Sequence, residues 1–148
     1  MRDEERAALL GLLLGGASTL VDEVQERVRG RGFDDIRPAH GFAFVRISRG
    51  GATTTDLAEH LGVTKQAASV LVTELVAKGY VAREPHPYDA RAHVLGLTDR
   101  GWACTRAATE ALAAAVGNWE REVGSARAKA VLDALEPLAH GGRLRPVW

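Results

Sequence analysis

The sequence is poor in several things at once. Among its 148 residues there is one cysteine, Cys104, aromatic residues make up 5%, and Lys+Arg and Asp+Glu balance at 19 each. A single cysteine excludes a disulfide within the chain and suits a reducing compartment. Zero formal net charge gives no pointer to a polyanionic partner, so any basic surface has to come from local arrangement. The stretch 7–21 (AALLGLLLGGASTLV) is apolar or small throughout, yet shorter than the roughly 20 residues of a membrane span. The residues before it, MRDEER, are mixed in sign, whereas a secretory signal starts basic. These features predict a cytoplasmic protein with no membrane association and a first helix that is largely buried. The chain also lacks a glycine-rich phosphate loop, a nucleophile elbow and a carboxylate pair with a plausible cleft. Its histidines, at 40, 60, 86, 93 and 140, have no metal-ligand spacing with cysteine or carboxylate. No enzyme, cofactor or metal site is expected.

What is present is an ordinary globular balance, 46% hydrophobic and 26% charged, enough for one core. Leu9, Leu10, Leu13, Ala17, Leu20, Val21, Val24 and Val28 recur at helical spacing, and glycines 30 and 32 end that helix. Leu12 and Leu14 fall outside the stripe, so the helix is apolar on two sides, as a subunit interface would use. Pro38 opens a second helix to about Ser48 carrying Phe42, Phe44, Val45 and Ile47. Thr53 with Asp56 reads as a cap for a short helix, Thr54 to Leu61, closed by Gly62. Thr64 caps the next, about Lys65 to Lys78, which Gly79 ends. Tyr80–Glu84 and Ala92–Leu97 read as strands around a loop with Pro85 and Pro87. Thr98 caps a long helix, Asp99 to about Val123, with Trp102, Ala113, Val116 and Trp119 as its apolar positions. Ser125 caps a last helix, with Ala130, Val131, Leu135 and Leu138 apolar, and the tail His140–Trp148 is expected to be irregular.

Two short helices joined by Gly62-Val63 make a helix-turn-helix candidate, whose second helix would enter a DNA major groove. There Ala68, Leu71, Val72 and Leu75 face the core at i, i+3, i+4, i+7, and Lys65, Gln66, Ser69, Val70 and Thr73 face outward. Glu74 lies to the side. Lys65 suits a phosphate or a guanine, Gln66 an adenine, and Val70 a thymine methyl. Thr64, Ser69 and Thr73 suit phosphates. The alternative is the solvated face of an ordinary amphipathic helix. A hairpin directly after the two helices weighs against that, because its tip can reach the neighbouring minor groove, where an arginine reads groove width. Arg91 would be the inserted group, with Asp89 pairing across the turn to orient its guanidinium. The plainer alternative is that Asp89 only makes the turn.

Leu57-Ala58, Leu61, Val63-Thr64, Ser69, Leu75, Gly79-Tyr80-Val81, Arg83, Asp89-x-Arg91 and Leu97-Thr98-x-x-Gly101 together resemble the winged-helix region of MarR-type transcriptional regulators. The likeness is close over Thr53–Gly101, and the flanking helices agree in number and placement. It implies a mainly α fold with a small β-hairpin wing: one chain, 1–148, with dimerisation helices at 1–32 and 99–140 and a winged-helix DNA-binding region at 38–98. It implies a homodimer on a pseudo-palindromic operator in double-stranded DNA, acting most often as a repressor that responds to a small, often aromatic effector or to oxidation. The DNA-contacting set is then Thr53, Thr64, Lys65, Gln66, Ser69, Val70, Thr73, Arg83, His86, Asp89 and Arg91. His86 and Val70 depart from common family residues. An effector pocket would include His40, Phe42 and Phe44; the alternative, which is favoured, is that the two phenylalanines are ordinary core and His40 a satisfied polar residue. Cys104 is expected to be a buried, inert thiol. The competing function is a winged helix that binds protein rather than DNA.

Overall fold

The computed structural model describes residues 1–139; the tail expected to be irregular lies outside them. Helices α1 (Asp3–Gly30), α2 (Pro38–Ile47), α3 (Thr54–Leu61) and α4 (Lys65–Ala77) come first. Strands β1 (Val81–Pro85) and β2 (His93–Leu97) follow, then helices α5 (Asp99–Val123) and α6 (Ser125–Ala139). The strands pair antiparallel from Val81↔Leu97 to Pro85↔His93. Ala52, just before α3, bridges Leu95 in both directions, at 3.2 and 2.7 Å. The hairpin is thereby sewn to the helices on its inner side, and Pro85, with no N–H to give, sits at its open end.

Threonines start helices α3, α4 and α5. Thr53 and Asp56 form a reciprocal cap: the Thr53 N–H donates to Asp56 Oδ2 at 2.8 Å, and the Asp56 N–H to Thr53 Oγ1 at 3.1 Å. Thr64 Oγ1 accepts from the Ala67 N–H at 3.1 Å, and Thr98 Oγ1 from the Gly101 N–H at 3.1 Å. Each satisfies an orphan donor of a first turn, an interaction worth about 1 kcal/mol. Gly62 ends α3 with φ +65°, a left-handed value natural for glycine. That allows a turn of three residues, Gly62 to Thr64, between α3 and α4.

One core joins the elements. Phe44 and Ile47 from α2, Leu57 and Leu61 from α3, Val72 and Leu75 from α4, Tyr80 and Leu95 around the wing, and Val28 of α1 are all buried. The inward faces expected for α3 and α4 are observed, with Leu71 only half-buried.

Two expectations fail. First, α1 is not largely buried. Leu9, Leu10, Leu12 and Leu14 are exposed, Leu12 at 71%, and Val28 alone in this helix is fully buried. The helix as a whole is long and apolar enough to cross a membrane, and none of its most apolar stretch is covered. Its C-terminal half packs along α5, and its N-terminal half extends beyond what the single subunit can cover. Second, the apolar positions named on α5 are not its buried ones, which are Gly101, Cys104, Ala107, Ala111 and Ala115. Trp102 is 41% exposed and Ala113 exposed, and Val116 and Trp119 are half-buried. Small side chains bring the α5 backbone close to α1, which large ones would hold apart. On α6 the expected apolar positions also stay outside: Ala130, Val131 and Leu138 are exposed, Leu135 is half-buried, and only Ala128 is buried.

Gly101 is the tightest point of the fold. A Cβ built there would stand 2.2 Å from the Tyr80 carbonyl oxygen, a rigid backbone atom. Gly101→Ala is therefore expected to destabilise the chain by roughly 2–4 kcal/mol, read as a lower midpoint in urea unfolding.

Candidate nucleic-acid interface

Helix α4 presents Lys65, Gln66, Ser69, Val70 and Thr73 to solvent over the buried Ala68, Val72 and Leu75. Val70, at 65% exposure, is an apolar side chain with nothing of its own subunit to cover it. Thr64 is exposed at the helix start while capping it. Thr53 is half-buried and engaged with Asp56 at both its backbone and its hydroxyl, so its first role is to start α3.

Glu74, the acid that would repel a polyanion, is held off this face by cations. Its Oε1 accepts from Lys78 Nζ at 2.8 Å and its Oε2 from Arg37 Nη2 at 2.5 Å, with His40 Nε2 3.3 Å from the same oxygen. The hydrogen bond from Lys78, with help from His40 and Arg37, draws the Glu74 carboxyl down to about 2. His40 is fully buried, and its Nδ1 accepts the Arg37 N–H at 3.1 Å. That bond assigns the neutral ring a proton on Nε2, facing Glu74. Burial lowers the His40 pKa and outweighs the attraction of Glu74.

The wing is pinned to α4. Arg83 Nη2 donates to Thr73 Oγ1 at 3.2 Å, while that hydroxyl donates to the Ser69 carbonyl at 3.0 Å. Arg83 and Thr73 therefore share one surface, and the hydroxyl of Thr73 is already committed within the subunit. At the tip the His86 N–H reaches the Ala92 carbonyl at 3.1 Å, as does the Ala92 N–H that of Asp89. Asp89 Oδ1 accepts the backbone N–H of Arg91 at 2.9 Å. The expected Asp89–guanidinium pair is not among the ion pairs of the described residues. An aspartate two residues ahead of an amide closes a local turn at less entropic cost than it would hold a long side chain. Asp89 thus shapes the tip, and the exposed Arg91 guanidinium is left toward solvent.

Between α1, α2 and α5 lies a cavity of about 220 Å³, lined by Leu20, Val24, Phe42, Phe44, Cys104 and Leu112 among others. Phe42 and Phe44 belong to it as expected. His40 does not: it turns away toward Glu74. Among the described residues no lining side chain carries a charge, and Gln25, Thr105 and Thr109 are the polar ones. Cys104 is buried, and burial pushes its thiol up to about 11, far from a reactive thiolate.

Sequence reasoning missed the cluster behind the wing. The Tyr80 hydroxyl donates to Asp35 Oδ1 at 2.6 Å and accepts from Arg100 Nη2 at 3.0 Å. The Arg100 guanidinium lies 4.4 Å from the Tyr80 ring centre. Burial pushes the Tyr80 phenol up to about 12. Lys78 Nζ donates to the Asp35 carbonyl at 2.6 Å. These partners come from α5, the α1–α2 loop and the end of α4, too far apart in sequence for any spacing to reveal.

Two short helices with a tight turn, an outward face cleared of acid and a wing fixed to that face define a winged helix-turn-helix. The comparisons agree with this fold: residues 35–92 match the model of the MarR family. Similar solved structures include the transcriptional regulator Tm0710 from Thermotoga maritima, 26% identical over 90% of this chain and 93% of that one, TM-score 0.64. RV1404 from Mycobacterium tuberculosis is 24% identical over 96% and 97% of the two chains, TM-score 0.76. The transcriptional repressor CouR, solved bound to a 23-mer DNA duplex, is 24% identical over 94% and 98%, TM-score 0.71. No curated protein matches the sequence significantly.

The Glu74 cluster makes the fold acid-sensitive in two stages. His40 takes up a proton more readily unfolded, near its ordinary ~6.5, than buried. Stability is therefore full above that pH and declines as pH falls below it. Glu74, held low in the fold, adds stability that is present above its ordinary ~4.5 and lost toward about 2. Melting curves between pH 7.5 and 5 are expected to show a falling midpoint in the native chain and a flatter profile in His40→Gln. Parallel profiles would remove His40 from the effect.

Proposed function

We propose that the protein is a homodimeric, sequence-specific DNA-binding regulator of transcription in the cytoplasm, acting as a repressor on a pseudo-palindromic operator. The observation that carries this reading is the union, on one surface, of an α4 face free of acid and a wing whose Arg91 guanidinium is left open. Lys65, Gln66, Ser69 and Val70 read base edges and phosphates in the major groove. Thr64, Thr73, Arg83 and His86 set register on the backbone. Thr53 and Asp89 act indirectly, by starting α3 and shaping the tip. Arg91 enters the flanking minor groove. The CouR complex with DNA supports this use of the fold.

The exposed leucines of α1 and the apolar face of α6 support a two-fold interface, the commonest way for a subunit to cover such surface. In that dimer the two α4 helices would address half-sites about one helical turn apart, roughly 34–36 Å. The uncharged cavity beside α2 would take a small, neutral, largely apolar effector, aromatic rings included. An effector that favours one subunit spacing would shift operator affinity by its differential affinity for the two states.

Gel-shift titration against the DNA upstream of its own gene and against DNA selected from a random pool tests the reading. Binding is expected to be fragment-selective and to weaken steeply with salt. Arg91→Ala should cost about tenfold in affinity and lower the salt slope by about 1, and Asp89→Ala should act in the same direction but less. Salt-insensitive or absent binding to all DNA would favour the protein-binding alternative. For the interface, Leu10→Glu with Leu14→Glu is expected to yield monomers in sedimentation velocity and to abolish selective binding. A dimer that persists would place the interface elsewhere.

A further inference from the structure

The wing tip carries a side chain to which neither the sequence pattern nor the family match gives a role. Tyr88 is 93% exposed, so its ring adds nothing to the fold by burial. Isolated surface aromatics are common enough, but this one is held in place. Its backbone N–H donates to His86 Nδ1 at 3.2 Å, and its ring meets the His86 ring edge-on, with centres 6.2 Å apart and planes at 66°. Pro85 and Pro87 flank His86 and fix two φ angles of the same loop. The loop is closed beneath by the His86–Ala92 and Ala92–Asp89 backbone bonds, and Asp89 caps the Arg91 amide. Much of the entropy of ordering the tip has therefore been spent within the free subunit.

We infer that Tyr88 is a DNA-contact residue that sets the affinity of the wing: its ring packs on the deoxyribose wall of the minor groove beside Arg91, and its hydroxyl donates to a backbone phosphate. This rests on the DNA-binding reading above and goes beyond it in naming the residue and its target. One observation and two properties of the side chain converge. The ring stands three residues from Arg91 in the same closed loop and is almost fully exposed. A tyrosine has an apolar body for the sugar and a polar tip for the phosphate. With two side-chain torsions it loses little freedom on docking. Arg91 reads groove width by charge, and Tyr88 grips the groove edge by contact, which needs no charge. The two residues therefore differ in how salt affects their contributions.

Purified full-length protein and its Tyr88→Ala, Tyr88→Phe and Arg91→Ala variants would be titrated by fluorescence anisotropy on DNA selected by the native protein, over a salt series. Tyr88→Ala is expected to weaken binding about five- to tenfold with the salt slope unchanged, in contrast to Arg91→Ala. Tyr88→Phe is expected to keep the larger part of that affinity. Hydroxyl-radical footprints, which report sugar accessibility, should lose protection at the operator flanks in Tyr88→Ala. Native affinity and footprint in Tyr88→Ala would overturn the inference while leaving the DNA reading intact. Failure of the native protein to select any DNA would instead overturn the reading on which it rests. Tyr88 touches no core residue, so all variants should unfold at the native midpoint, and that measurement separates a contact from a folding defect.

Discussion

The Thr98 hydroxyl makes two hydrogen bonds on which the rest of the architecture depends. It donates to the Gly79 carbonyl at 2.6 Å and accepts from the Gly101 N–H at 3.1 Å. Gly79 follows α4, Gly101 lies in the first turn of α5, and the whole wing runs between them. Beside this clasp the Thr98 N–H meets the Tyr80 carbonyl at 3.0 Å, the oxygen against which Gly101 leaves no room for a side chain. A carbonyl just past the end of α4 and an N–H that α5 leaves unpaired in its first turn thus meet through one small side chain. The wing is the loop closed by that knot. Its angle to α4 follows from the clasp at its base and from the Arg83–Thr73 bond further out.

Around the knot, polar groups do what the hydrophobic core cannot: they fix direction. The core holds α2, α3, α4 and the wing together through residues such as Phe44, Leu61, Leu75 and Leu95, and is tolerant of small rotations. Glu74 with Arg37, His40 and Lys78, and Asp35 with Tyr80 and Arg100, tie α4 and the base of the wing to the α1–α2 loop and α5. Half-buried carboxylates paired with cations that stay partly in solvent, as Arg37 and Arg100 do, add less to stability than their number suggests. Their effect is to hold the reading surface in one orientation and to remove an acid from it. Ile36 and Pro38, on either side of Arg37, line the cavity next to α1 and α5, so the apolar chamber and the polar tie share one segment of backbone.

Local chemistry was legible in the sequence wherever the determinant was local. The threonine caps at 53, 64 and 98, the Gly62 turn and the extent of α5 could all be read directly, and the two strands to within a residue, because a cap, a left-handed turn or a period needs only neighbours. The acid-free face of α4 was legible for the same reason. What was misread depended on partners. On α5 the sequence leaves the tryptophans as core or interface anchors; the buried face turns out to be small residues such as Ala107 and Ala111, with Trp102 outside. His40 looked like a pocket residue by position, but its ring is turned by Arg37 and Glu74, the latter 34 residues on. For Asp89 the sequence leaves a guanidinium partner and a turn-forming role both open, and the nearer backbone amide of Arg91 decides for the turn. Burial of α1 was inferred from its apolarity, which records that a surface is covered without saying by which chain.

The neutralisation of Glu74 also bears on how fast such a protein finds its target. Arg37 and Lys78 are occupied by an internal acid, and the chain as a whole carries no net charge. A subunit of this kind has little long-range field with which to draw itself toward a polyanion. Its open cations, Lys65 and Arg91 among them, act within a Debye length of the surface, about 8 Å at physiological salt. In the proposed role, dwell time on arbitrary sequence would be short under these conditions. Discrimination would then reside in how slowly the correctly seated subunit leaves, and a stiff, pre-shaped wing tip would lengthen that residence without increasing attraction to every other stretch of DNA.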